Sequence, residues 1–316
     1  MSTDQARPRR SVLYLPASNP RAIEKSRDLE CDTIVFDLED AVAPAAKDEA
    51  RKNLLAAFQA AGFGTRETVI RTNAIGSDDY LNDLQTIATC APDAVLLPKV
   101  SSPTDLIAFA RDARQAGLKL VRSAATESDG DIVPSGQIPS GLAVWAMIET
   151  VAALTGLHQI LEANSVVALD CLVVGTNDIA KETGVSPGNQ RLYLMPWLMG
   201  IVLAAKQHQI SVLDGVWNDF RDTRGFEAET MQSLAMGFDG KTLIHPSQIE
   251  PSNRIFSPSA QAIQEAQEIV ATFSLPEHHR AGVINLNGRM VERLHLEQAQ
   301  RLLAIHQGIC AKEKMR

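Results

Sequence analysis

An α/β fold, a (β/α)8 TIM barrel with a C-terminal helical extension, is the class the amino-acid sequence predicts, and two observations predict it. The first is a set of eight short apolar runs at 11–15, 33–36, 67–70, 94–97, 142–148, 171–175, 211–213 and 240–244. The second is what ends or follows several of them: Asp37, Arg71, Lys99, Glu149, Asp178 and His245. A parallel strand buried on both faces reads as a continuous apolar run, and polar groups must wait for its end. In a barrel of such strands every C-terminus opens on one mouth, where the chemistry sits. One architecture therefore gathers the scattered charges into a single cleft, and that predicts an enzyme.

Helical patterns lie between the runs. Residues 47–61 carry Ala50, Leu54, Phe58 and Ala61 at helical spacing and stop at Gly62, a left-handed cap. Ser102, Pro103 and Asp105 read as N-cap, first helical position and acidic first turn. Leu106, Ile107, Ala110 and Ala113 supply the stripe that follows. Further helices are predicted over 150–162, 191–207 and 227–236. Strand then helix, repeated across the chain, argues for parallel β/α units, with an open doubly wound sheet as the competing arrangement. Residues 123–140, rich in Ser, Gly, Asp and Pro, are expected to form a surface loop or short hairpin. Beyond Pro251 the pattern predicts a helix over 259–273, a hairpin turning at Asn287-Gly288, and a last helix from about 291 to 306. The division expected is a catalytic barrel over 1–255, with the final barrel helix and an extension over 256–316.

Composition narrows the function. The chain has 316 residues, long enough for one barrel of roughly 250 residues and an appendage. Its net charge of −8, with both signs interspersed, disfavours nucleic acid as a partner. Cys31, Cys90, Cys171 and Cys310 show no metal spacing and read as reduced thiols. No apolar run nears the ~18 residues of a membrane span, and the polar start reads as neither signal peptide nor anchor. A soluble, cytoplasmic protein is expected.

Glu149 and Asp178 close two apolar runs that are consecutive in order. At ~4.5 Å and an effective dielectric near 20, two bare carboxylates repel by about 3 to 4 kcal/mol. Either one is protonated or a cation sits between them, and oxygen ligands favour Mg²⁺ or Mn²⁺. The alternative is two unrelated helix caps. Asp37, Glu39 and Asp40 crowd a strand end, with Lys47 and Arg51 downstream to neutralise some of them. Asp37 reads either as part of an ion-paired turn or as an acid in the mouth. Arg71 suits bidentate binding of a carboxylate or an enolate oxygen, or a salt bridge to a nearby acid. Lys99 is a second, weaker substrate-binding cation. Gly62-Phe63-Gly64 follows a helix rather than a strand, so it reads as cap and turn, not a phosphate loop. His245 reads as structural, and His278-His279 as incidental.

The segments 10–17, 36–44 with Lys47 and Arg51, 69–73, 97–100, 147–150, 175–179 and 237–249 together resemble the citrate lyase beta-subunit-like enzymes, the malyl-CoA and citramalyl-CoA lyases of the HpcH/HpaI aldolase superfamily. The resemblance runs from about residue 9 to 304. It implies Mg²⁺ on Glu149 and Asp178, Arg71 as the substrate-binding arginine and Asp37 as an acid near the metal. It also implies a homotrimer or hexamer whose C-terminal segment covers a neighbour's site. There Glu292 stands where the family usually has Asp, as general acid. The activity implied is cleavage of a β-hydroxyacyl-CoA, with CoA as part of the substrate, or the reverse Claisen condensation. Rival readings are a malyl-CoA-type thioesterase, a metal-dependent 2-oxo-acid aldolase and a carrier-bound subunit of an acyl lyase complex.

Overall fold

A computed structural model of the chain describes residues 7–121, 141–163, 166–278, 281–286 and 288–314. The 123–140 loop, His279 and the turn residue Asn287 lie outside the described residues. Eight parallel strands pair in sequence order, and the eighth returns to the first, closing a barrel. They are β1 (Ser11–Pro16), β2 (Thr33–Asp37), β3 (Glu67–Arg71), β4 (Ala94–Leu97), β5 (Ala143–Ile148), β6 (Leu169–Val174), β7 (Ser211–Asp214) and β8 (Gly240–Leu243). This is the predicted barrel, and the open sheet is excluded.

Around the barrel run α1 (Pro20–Lys25), α2 (Lys47–Ala60), α3 (Tyr80–Cys90), α4 (Pro103–Gln115), α5 (Val151–Thr155), α6 (Leu157–Glu162), α7 (Thr176–Thr183), α8 (Met195–Gln207), α9 (Thr223–Met236) and α10 (Ile249–Phe256). Local chemistry sets their ends. At α4 the Asp105 carboxylate accepts the backbone N–H groups of Ser101 and Ser102 at 2.8 and 2.9 Å. Past α2, Ala61 and Gly62 both take positive φ, so the chain turns there as expected. The helix predicted over 150–162 is broken into α5 and α6 at Gly156, whose N–H closes on the Ala152 carbonyl at 2.8 Å.

Side chains alternate across each strand, so every second residue points inward. Val12, Val35, Val69, Ala94, Leu96, Trp145, Met147, Cys171, Val173 and Leu213 form the packed interior. Continuing the same alternation puts Asp37, Arg71, Glu149 and Gly175 at the top of the inward rows of β2, β3, β5 and β6. At the opposite end Gly240 lies against the chain entering β1. A Cβ there would sit 1.8 Å from the Arg9 carbonyl oxygen, so only glycine permits that approach.

A second compact unit begins at Phe256. It contains α11 (Ala260–Phe273), the antiparallel hairpin β9 (Val283–Leu286) and β10 (Arg289–Glu292), and α12 (Arg293–Lys314). Phe273, Ile284 and Val291 form its small core. Gly288 takes φ +81° in the turn, as the hairpin requires. The last helix runs eight residues past the predicted end at His306 because Ile309 and Lys312 still find buried positions on it.

Candidate functional site

A cleft of about 350 Å³ opens where the strands end. Its lining includes Tyr14, Asp37, Asp40, Arg71, Met147, Glu149, Gly175, Asp178, Asn218 and Thr242. The β2–β3 register sets Asp37 directly beside Arg71. Arg71 Nε and Nη2 donate to the two Asp37 oxygens at 2.7 and 2.6 Å, and Nη1 lies 2.9 Å from Glu39 Oε2. Asp37 also accepts the N–H groups of Glu39 and Ala41 at 2.8 and 3.0 Å. Each of its oxygens thus holds two donors, and Asp37 serves to fix Arg71. The guanidinium lies 5.0 Å from the centre of the Tyr14 ring, a cation–π contact that completes its clamp.

The neutralisation expected from Lys47 and Arg51 is not what the fold provides. Lys47 Nζ donates to the Leu38 and Glu39 carbonyls and to Asn73, while Arg51 pairs with Asp48, Asp79 and Asp83. Helix α2 aims both side chains at the loop backbone and at α3, away from the carboxylates. Arg71 and Lys99 compensate the acids of the mouth instead.

Glu149 follows β5 and is fully buried. Its Oε1 accepts the Lys99 backbone N–H at 2.7 Å, which Lys99 presents by taking φ +54°. Its Oε2 is buried without a hydrogen-bond partner among the described residues. Gly175 makes room for this carboxylate, since a Cβ there would come within 2.5 Å of Glu149 Cβ and Oε2. Asp178, in the first turn of α7, is partly exposed and lies 2.9 Å from Lys99 Nζ. The same ammonium is 3.7 Å from Glu149 Oε1 and 4.0 Å from Asp40 Oδ2. Neither carboxylate is a helix cap: the Thr150 hydroxyl caps α5, and Gly175 precedes α7.

The electrostatics follow from burial. Desolvation pushes the Glu149 carboxyl above its ordinary range, only partly offset by Lys99. Glu39 is driven from 4.5 to about 7 by burial, against the opposing charge of Arg71. Burial also works against the Lys99 ammonium, but its hydrogen bond to Asp178 and the charge of Glu149 prevail, and its pKa is raised.

Five acids, Asp37, Glu39, Asp40, Glu149 and Asp178, thus face two cations. Among the described residues no three His, Cys, Asp or Glu side chains gather into a metal cage. A hard divalent ion of the Mg²⁺ type does not need one, because it keeps several waters and binds through one or two carboxylates. The buried, unpartnered Glu149 Oε2 and the Asp178 carboxylate are oxygen donors of the kind such an ion takes, so the residues present fit it.

Glu292 ends β10 in the second unit, half-buried, its N–H donating to His295 Nδ1 at 3.0 Å. The cleft described above is lined by residues of the barrel unit. His245 caps a short turn through Ser247 and stacks on Phe220 at 4.6 Å, as its structural reading predicted. Tyr14, Met147 and Gly175 join the site without a charge at a strand end to mark them. Period-two alternation within the runs points to the first two, since Tyr14 lies two residues past Val12 and Met147 two before Glu149.

Residues 10–246 match the family described as HpcH/HpaI aldolase/citrate lyase. A (3S)-malyl-CoA thioesterase of Cereibacter sphaeroides is 40% identical over 307 residues, spanning 97% of this chain and 98% of the relative. The human mitochondrial citramalyl-CoA lyase is 31% identical over 315 residues, 97% of this chain and 87% of the relative. The crystal structure of CitE from Mycobacterium tuberculosis, in complex with magnesium, acetoacetate and coenzyme A, superposes with a TM-score of 0.69 at 26% identity. It covers 96% of this chain and 99% of its own. With the barrel, its mouth of acids and this match over most of its length, the chain belongs to the HpcH/HpaI aldolase/citrate lyase family.

Proposed function

We propose that this protein is a Mg²⁺-dependent carbon–carbon lyase that cleaves a β-hydroxyacyl-CoA of the malyl-CoA or citramalyl-CoA type to acetyl-CoA and a 2-oxo acid. The reverse Claisen condensation uses the same groups. One observation carries the reading: Arg71, clamped by Asp37 and Glu39, shares a single cleft with Glu149, whose Oε2 is buried without a hydrogen-bond partner, and with Asp178. Mg²⁺, or Mn²⁺ in its place, held by Glu149 and Asp178 supplies Lewis acidity toward the hydroxy-acid end of the substrate.

The chain's own residues do the rest. As the substrate hydroxyl releases its proton to water in the open cleft and becomes the carbonyl of the 2-oxo acid, the electron pair of the broken carbon–carbon bond stays on the thioester fragment as an enolate. Arg71 meets that developing charge, or the substrate carboxylate, with a guanidinium that its clamp has already oriented, so little reorganisation is needed. Lys99 binds a substrate anion at the rim. Glu292 is the general acid that protonates the enolate carbon, delivered by a neighbouring copy. The division into a catalytic barrel over 1–255 and an extension over 256–316 belongs to this proposal. So does a homotrimer or hexamer. Leu192, Tyr193, Met199, Leu203, Met231 and Leu234, on and beside α8 and α9, expose apolar surface that self-association would cover. No helix among the described residues is long and apolar enough to cross a membrane. A cytoplasmic location accords with that and with the buried thiols of Cys31, Cys90 and Cys171.

The 40% identity to a (3S)-malyl-CoA thioesterase favours hydrolysis as the second reading. Turnover of malyl-CoA and citramalyl-CoA with Mg²⁺, with products identified by mass, separates the two. Acetyl-CoA with glyoxylate or pyruvate is the expected result. Free CoA with intact hydroxy acid would replace the lyase with the thioesterase.

A further inference from the structure

Three carboxylates of the mouth converge on one ammonium. Lys99 Nζ lies 2.9 Å from Asp178 Oδ1, 3.7 Å from Glu149 Oε1 and 4.0 Å from Asp40 Oδ2. The nearer two belong to the residues assigned to the divalent cation. Lys99 reaches them from a left-handed backbone, φ +54°, which side-chain-bearing residues avoid. Glu149 itself holds that conformation, because its Oε1 accepts the Lys99 N–H at 2.7 Å. The lysine and the ligand are therefore built as one unit, not as chance neighbours. The Lys99 side chain is also one-third exposed, whereas Glu149 is fully enclosed. The ammonium has somewhere to go, and the carboxylate does not.

Resting on the metal assignment above, we propose that Lys99 is a resident counter-cation that holds the Glu149–Asp178 pair together before metal loading and is exchanged for the divalent ion. Two like charges side by side, one of them fully buried, repel, so the pair needs a cation to stay assembled, and the ammonium provides it. A divalent ion approaching these two carboxylates meets an ammonium already 2.9 Å from Asp178 Oδ1 and 3.7 Å from Glu149 Oε1. Coulomb repulsion then drives Lys99 off Asp178 toward the cleft. Two consequences follow. Metal affinity is set by an exchange and is weaker than the carboxylates alone would give. Metal loading also releases a cation for the anionic end of the acyl-CoA, so metal binding promotes substrate binding.

Calorimetric titration of the full chain with MgCl₂ alone tests this in wild type, Lys99→Asn, Lys99→Arg and Glu149→Gln. Asparagine tolerates the left-handed backbone and removes the charge; arginine keeps the charge. The expected result is a Kd for Mg²⁺ at least tenfold lower in Lys99→Asn and close to wild type in Lys99→Arg. The Tm of Lys99→Asn should fall below wild type without Mg²⁺ and match it at saturation. Should Lys99→Asn fail to fold, Lys99→Gln carries the same expectation. Binding abolished by Glu149→Gln but equal or weaker in Lys99→Asn would overturn the inference and leave the metal assignment standing. Absence of Mg²⁺ binding in wild type, or binding indifferent to Glu149→Gln, would overturn the metal assignment and this inference with it.

Discussion

Strand β3 begins at Glu67 and ends at Arg71, and these two inward charges belong to different worlds. At the lower end Arg9 Nε and Nη2 donate to both Glu67 oxygens at 2.8 and 2.7 Å, Thr33 adds a third donor, and Asp170 also pairs with Arg9. The Arg9 guanidinium stacks 4.6 Å from the Trp145 ring centre. Beside it Arg10 binds both oxygens of buried Asp32. The two buried carboxylates, Glu67 and Asp32, are each bound through both oxygens by an arginine. At the upper end five acids share Arg71 and Lys99, and Glu149 Oε2 has no hydrogen-bond partner. Saturated ion pairs close the barrel floor, and an excess of negative charge opens its mouth to a cation. The difference is that between stability and chemistry, which barrels of this class divide between their two ends.

The sharpest way to break the comparison is at Glu149. Glu149→Gln removes a charge from the mouth and should lower kcat at least about a thousandfold, measured as acyl-CoA cleavage at saturating Mg²⁺, with Tm unchanged or raised. A variant that keeps its rate would show the excess charge to be incidental.

The mirror experiment is Arg9→Met, which takes the arginine from buried Glu67. Losing one partner of a buried pair costs about 3 to 5 kcal/mol, and chemical denaturation should show it. The kcat of the folded fraction should stay put; a large fall in kcat would mean that the two ends are not separable.

Glu39 gives the pH test. Its folded pKa of about 7 lies above the ordinary 4.5, so between those values the folded state keeps a proton that the unfolded chain has released. Stability is therefore present below pH 4.5, falls as pH rises to 7, and then levels off. The shift corresponds to roughly 3 kcal/mol. Urea titrations of metal-free protein across that window should show the decline, and Glu39→Gln should flatten it. A wild-type profile already flat there would place Glu39 with the saturated acids of the floor.

The smallest effect is expected at Gly175. A methyl group there meets Glu149 at 2.5 Å and must displace it. Overpacking of this kind costs about 1 to 3 kcal/mol. Gly175→Ala should weaken Mg²⁺ binding by ten- to a hundredfold in a calorimetric titration, with little change in the fold by circular dichroism. Unaltered affinity would mean that Glu149 has more freedom than its burial implies.

Much of this was legible from the order of residues. The apolar runs at 11–15 through 240–244 became the barrel strands, and the Asp105 cap and the Gly62 turn formed where their residue types required. That Arg71, Glu149 and Asp178 share one cleft was legible because polar residues at strand ends stand out against apolar runs. Other features were not legible. Lys47 and Arg51 were expected to reach the Asp37–Asp40 acids, yet the direction of α2 sends them to Asn73, Asp79 and Asp83. Asp214 and Lys241, both fully buried, join Arg191, Ser233 and Glu229 in a network between β7, β8 and α9. Only a charge inside the eighth apolar run hinted at it.

By itself the sequence determined the barrel and the residues that end its strands, because burial on both faces, helical stripes and caps are properties of a few neighbouring residues. The tertiary structure alone decided which charges meet. Arg71 clamps to Asp37 across 34 positions, and Glu149 holds the Lys99 backbone across 50, through strand register and a left-handed turn. An ion pair depends on distance in space, and distance in space exists only once the barrel has closed.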